Sequence, residues 1–185
     1  VRADTGGAPA LGRTDPEVSM FSFQRILVPV DGSESSNKAL VAALQIARDG
    51  GGRVRLLHSL DELSYLSGYE YSALVLQQAR DHAARVLAEA TAVAASAGVP
   101  CDTALRDAPG QRIGEVVANE ARSWDADLIV LGSHGRRGLQ RVLMGSGAEQ
   151  IVREAPVPVM VVPALSRMRP PLPELPPEPA FSTAS

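Results

Sequence analysis

Two hydrophobic periodicities alternate along the middle of the chain. Arg25-Ile26-Leu27-Val28-Pro29-Val30 is a near-continuous apolar run of strand length, the pattern of a strand buried on both faces of a parallel sheet. From Ser33 to Arg48 the spacing becomes helical, with Leu40, Ala43, Leu44 and Ala47 on one face. Serines at its start supply N-caps, and Gly50-Gly51-Gly52 supplies the stop. Val54 to Ser59 predicts a second strand. Leu76, Ala79, Ala83, Val86, Leu87, Ala90 and Ala94 then keep a helical period until Gly98-Val99-Pro100 ends it. A short strand from Cys101 to Leu105 follows, then a helix from Gln111 to Ser123 with Ile113, Val116, Val117 and Ala121 inward, then a strand from Asp127 to Leu131. Ala148, Ile151, Val152 and Ala155 mark a fourth helix, and Val157 to Val162 a fifth strand. Five strands alternating with four helices predict an α/β fold built on a doubly wound, five-stranded parallel sheet.

The two ends lack this order. Residues 1–19 mix Gly, Pro, Arg and Asp without periodicity or the apolar stretch of a secretory signal, and are expected to be a disordered leader, with Met20 as a candidate natural start. Seven of the 14 prolines fall between Pro163 and Pro179, so residues 165–185 are expected to form a disordered, proline-rich tail. One domain, residues 20–164, remains between them. With 45% hydrophobic residues it holds enough apolar material for one core. The formal net charge of -3 provides no global basic field for nucleic acid or an anionic membrane. The single cysteine, Cys101, excludes an intrachain disulfide and fits a reducing compartment, so the cytoplasm is expected. The longest apolar runs fall far below the roughly 18 residues of a membrane span.

In doubly wound sheets, ligands bind beyond the carboxyl ends of the strands, where the strand order reverses. Two loops there stand out: Asp31-Gly32-Ser33-Glu34-Ser35-Ser36 after the first strand and Gly132-Ser133-His134-Gly135-Arg136-Arg137-Gly138 after the fourth. If both serve one site, the first and fourth strands must be neighbours, which selects the Rossmann-like order 3-2-1-4-5. From Gly132 to Ala148 there is no acidic residue, whereas His134, Arg136, Arg137 and Arg141 form a local anion-attracting patch. Gly132 and Gly135 let backbone N–H groups approach an oxyanion, and Gly145-Ser146 opens a helix whose free N–H groups and Ser hydroxyl favour phosphate. The three-glycine spacing arises by chance about 0.1 times in a chain of this glycine content, before Ser146 is required. A Gly-x4-Gly-Lys-Ser/Thr motif is absent, which excludes a P-loop NTPase, and the three histidines have no metal-ligand spacing. His58 reads as a satisfied core histidine, His82 as a helix-surface residue, and Trp124 as packing at a helix end.

Gly132-x2-Gly135-x9-Gly145-Ser146, preceded by Leu128-Ile129-Val130-Leu131 and paired with Val28-Pro29-Val30-Asp31-Gly32-Ser33, resembles the universal stress protein family, specifically its ATP-binding branch. The resemblance covers roughly Phe23 to Pro163. It implies that Pro29, Val30 and Asp31 lie by the adenine and ribose and that Ser59 borders the adenine, where the family often has an apolar residue. It further implies that Leu131, Gly132, His134, Gly135, Arg136, Gly145 and Ser146 hold ribose and phosphates. Arg137 adds positive charge, and Ser133 or Ser146 can help hold Mg²⁺ bound through the phosphates. The function implied is an ATP-dependent stress-response regulator, with a slow ATPase and a nucleotide-free scaffold as the rival readings. The apolar edge strand at 157–162, together with the resemblance, implies a homodimer.

Overall fold

The computed structural model describes residues 22–60, 73–108, 110–133 and 144–163. The predicted leader, the proline-rich tail and the segment 134–143 lie outside them. The elements are β1 (Arg25–Pro29), α1 (Glu34–Gly50), β2 (Arg53–Leu60), α2 (Ala73–Ser96), β3 (Cys101–Asp107), α3 (Ile113–Ser123), β4 (Leu128–Gly132), α4 (Ser146–Glu154) and β5 (Val159–Val162). All pairings are parallel and the order is β3-β2-β1-β4-β5, as the two-loop argument required.

Alternate strand residues feed two cores. Ile26, Val28, Val54, Leu56, Leu128 and Val130 pack with α1 and α2, whereas Leu27, Leu57, Ile129 and Leu131 pack with α3 and α4. Near-complete burial on both faces explains why β1 and β4 read as continuous apolar runs rather than alternating ones. The expected inward faces of α1 and α2 are observed, with Ala39, Ala43 and Ala47 fully buried. Gly51 ends α1 in the left-handed region at φ 69°, where a side chain would be strained.

Three local expectations change. Val152 of α4, expected inward, is 42% exposed. The fifth strand begins at Val159 instead of Val157, because Pro158 has no N–H to give the ladder, although its carbonyl accepts from Ile129. His82 is half-buried rather than on the surface, with its ring edge-on to His58 at 6.3 Å between centroids. Trp124 does sit at the end of α3, and it is 4% exposed between the guanidinium groups of Arg25 and Arg55, which lie 4.9 and 4.8 Å from its ring centroid.

Between β2, β3 and α3 lies a partly buried ionic network centred on the buried Glu120. Arg55 binds Asp102 through two bonds of 2.8 and 3.0 Å and reaches Glu120 Oε1 at 3.0 Å, while Arg106 Nε donates to Glu120 Oε2 at 2.6 Å. Both acidic partners raise the pKa of Arg55 against the opposing effect of burial, so its charge is permanent. Next to it, burial and then the Asp102 carboxylate push the Cys101 thiol from an ordinary 9.0 up to about 11. The neutral thiol is therefore favoured in the folded protein. At pH 8 iodoacetamide should alkylate folded Cys101 roughly 100-fold more slowly than the urea-unfolded chain. Equal rates at matched urea-corrected conditions would contradict this.

Candidate functional site

The carboxyl ends of β1 and β4 are adjacent, and the turns that follow them are built from small hydrogen-bonding residues. Asp31 Oδ1 accepts from the Ser33 N–H at 3.0 Å, while the Asp31 N–H donates to Ser36 Oγ at 3.2 Å. Ser33 caps α1: its Oγ accepts from the Ser36 N–H at 3.2 Å. Gly32 takes φ +78°, which leads the chain from the strand into the helix, and the position of an added Cβ there would lie 3.2 Å from Val86 of α2. This turn is thus held from within and from α2. In the first turn of α1, Lys38 pairs with Glu34 at 2.7 Å, and that hydrogen bond and charge hold the Glu34 carboxyl below its usual value. The acid's charge near this end is compensated.

Just past β4, Ser133 N–H donates to Val162 O and Ser133 O accepts from Gly145 N–H, both at 2.8 Å. The second bond ties the two ends of the glycine segment together and sets the start of α4 directly beside the end of β4. Gly145 is the N-cap residue, with φ -66° and ψ 150°, and α4 has no side-chain cap. The two helix N-termini therefore differ. The end of α1 is capped by the Ser33 side chain, whereas the N-cap residue of α4 is a glycine, with no side chain to offer the N–H groups of Ser146, Gly147 and Ala148.

Gly132 has a packing role that its motif does not announce. A Cβ at Gly132 would lie 2.6 Å from the carbonyl carbon and from Oγ of Ser35, so this glycine lets β4 touch the first turn of α1. It brings the two site loops together by close packing.

The remaining expected residues sort by what their side chains already do. Val30 and Leu131 are 4% and 3% exposed and belong to the two cores, which leaves only their backbone to a ligand. Pro29 and Ser59 are half-buried, and Ser59 stands in register with Arg106 of β3. Asp31, Ser59, Gly132, Ser133, Gly145 and Ser146 thus come together at the carboxyl end of the sheet. His134, Gly135, Arg136 and Arg137 lie outside the described residues. Among the described residues no group of three or more His, Cys, Asp or Glu side chains is arranged to hold a metal ion, and no helix is long and apolar enough to cross a membrane.

Sequence reasoning missed Glu120, which is 2% exposed, and its two arginines. The signal was present: Ile113, Val116, Val117, Glu120, Ala121 and Trp124 follow one helical stripe, and Glu120 is its charged member. The hydrogen bond of His58 to the backbone beside Asp31, at 2.7 Å, had no sequence signal beyond the histidine's place in a buried strand.

Comparison with known proteins agrees with this architecture. A Staphylococcus epidermidis protein bearing the universal stress protein name is 32% identical over 144 residues, covering 77% of this chain and 86% of that protein. A crystal structure of a universal stress protein family member from Burkholderia pseudomallei superposes with a TM-score of 0.64 at 29% identity, covering 78% of this chain and 98% of its own. A universal stress protein solved in complex with cAMP superposes with a TM-score of 0.57 at 26% identity, covering 76% of this chain and 97% of its own. The sequence profile of the family matches residues 22–163, from just before β1 to just after β5, and the chain belongs to the universal stress protein family.

Proposed function

We propose that this chain binds ATP at the carboxyl ends of β1 and β4 and acts as a nucleotide-dependent regulator in a stress response. The observation that carries the reading is the Ser133–Gly145 hydrogen bond, which sets the N-terminus of α4 beside the end of β4, the strand that Gly132 packs against the first turn of α1. The N–H groups of Ser146, Gly147 and Ala148 and the positive end of the helix dipole suit phosphate. Asp31 and Ser59 suit the polar edges of a nucleoside, and backbone at Pro29, Val30 and Leu131 borders it. Gly135, His134, Arg136 and Arg137 complete the phosphate side in this reading. Mg²⁺ enters through the phosphates, with Ser133 or Ser146 as the hydroxyl partner. The relative solved with cAMP supports an adenine nucleotide as the ligand class. Asp31, the acid at this site, has an oxygen engaged with the Ser33 N–H, which favours a bound effector over a substrate turned over rapidly.

The reading includes a homodimer. The edge strand β5 is Val-Met-Val-Val, with Met160 42% exposed, whereas the opposite edge, β3, carries Asp102, Thr103, Arg106 and Asp107. Charge protects one edge and the other is apolar, so a second copy suits β5. One preparation tests both parts. Purified protein, denatured and analysed by mass spectrometry, should release adenine nucleotide, and light scattering should give twice the 19.5 kDa chain mass. A nucleotide-free sample that also fails to bind added ATP would sink the first part, and a concentration-independent monomer the second.

A further inference from the structure

The registered pairing of β1 with β2 ends at Pro29 and Leu57. One residue further on, the Val30 N–H still donates to Leu57 O at 2.8 Å, and the Val30 carbonyl meets Nδ1 of His58 at 2.7 Å. A carbonyl oxygen only accepts, so Nδ1 carries the proton and the tautomer is fixed by this bond. The next group along the chain, the Asp31 N–H, donates to Ser36 Oγ. The Val30–Asp31 peptide is therefore held at both its polar atoms, on one side by β2 and on the other by α1. His58 is 5% exposed and its ring abuts His82 of α2, while Val86, one turn along the same helix, faces Gly32. The helix α2 thus braces the turn at two points, one of them through His58.

We propose that His58 is a positioning residue of the ligand site: by holding the Val30 carbonyl it fixes the orientation in which the Val30–Asp31 peptide and the Asp31 carboxylate meet the ligand. His58 does not touch the ligand itself. The inference rests on the nucleotide reading above for its effect on affinity, but the peptide clamp exists without ligand and has its own readout. Without the imidazole donor, a buried carbonyl is left to find another partner, and the turn gains alternative orientations of which only some suit the ligand.

The test compares His58→Asn with His58→Leu. The two side chains are close in size and leave similar space, but only asparagine can place an N–H donor near the Nδ1 position. ATP affinity is measured by calorimetry, and exchange of the Asp31 amide by hydrogen–deuterium exchange on the ligand-free protein. His58→Asn should bind ATP within about threefold of the parent, and His58→Leu about tenfold more weakly than His58→Asn, the effect of one hydrogen bond. The Asp31 amide should exchange faster in His58→Leu alone. Should His58→Leu fail to fold, His58→Phe, which keeps a ring but has no donor, takes its place. Equal affinity and equal exchange in the two variants would overturn the proposal. If the parent binds no nucleotide, the functional reading fails by itself, and the Asp31 exchange rates alone decide for or against the clamp.

Discussion

Gly132→Ala is expected to destabilise the protein by about 3 kcal/mol, and Gly132→Val by more, because the new Cβ would lie 2.6 Å from the backbone of Ser35. The obstacle is main chain in the first turn of α1, where Ser35 and Ser36 are 2% and 4% exposed and cannot swing aside as a surface side chain can. Relief requires β4 and α1 to separate, which opens the core that Leu40 and Val130 share. Thermal melting should register a fall of about 10 °C for alanine. An unchanged midpoint would mean that the two elements are not in contact at this point. The consequence for function is indirect: loss of ligand binding in a Gly132 variant would follow from loss of the fold.

Glu120→Ala should destabilise by about 2–4 kcal/mol, a large effect for one helix position. The carboxylate has a side-chain exposure of 1% and serves two guanidinium groups, of which Arg55 is 22% and Arg106 is 47% exposed. Removing it leaves Arg55 with Asp102 and the face of Trp124 but strips Arg106 of a short, partly buried bond. Arg106→Ala should lose less, about 1 kcal/mol, since its charge is half-solvated already. Urea denaturation is the appropriate measurement, because guanidinium salt would screen the pairs under test. A Glu120→Ala midpoint equal to that of the parent would show that the network is solvated and adds nothing.

The order of the strands was legible because β1 and β4 are buried on both faces and because two ligand-like loops had to be neighbours. Element ends were less legible. β3 runs on to Asp107 because it follows β2 as far as Leu60, a pairing that no local pattern in Leu105-Arg106-Asp107 announces. At the site, composition picked out Asp31, the serines and the glycines, but it could not tell which glycine packs against another element. Gly132 and Gly145 belong to one motif, yet the first is fixed by contact with Ser35 and the second has backbone angles open to any residue. The same limit hid Glu120 and the partner of His58, whose place as a satisfied core histidine was legible: the bonds of a buried polar group are settled by distant elements, here Arg55 and Arg106 for one and Val30 for the other.

The ordinary backbone angles of Gly145 open the central claim to a direct test. Gly145→Glu keeps an allowed backbone and sets a carboxylate at the start of α4, where the phosphates are proposed to lie. The decisive measurement is a calorimetric titration of ATP into the parent protein and into Gly145→Glu, with melting curves to confirm that both are folded. Saturable binding by the parent and an affinity at least tenfold weaker in the variant are the predicted result; unaltered affinity in a folded Gly145→Glu protein would contradict it and place the nucleotide elsewhere.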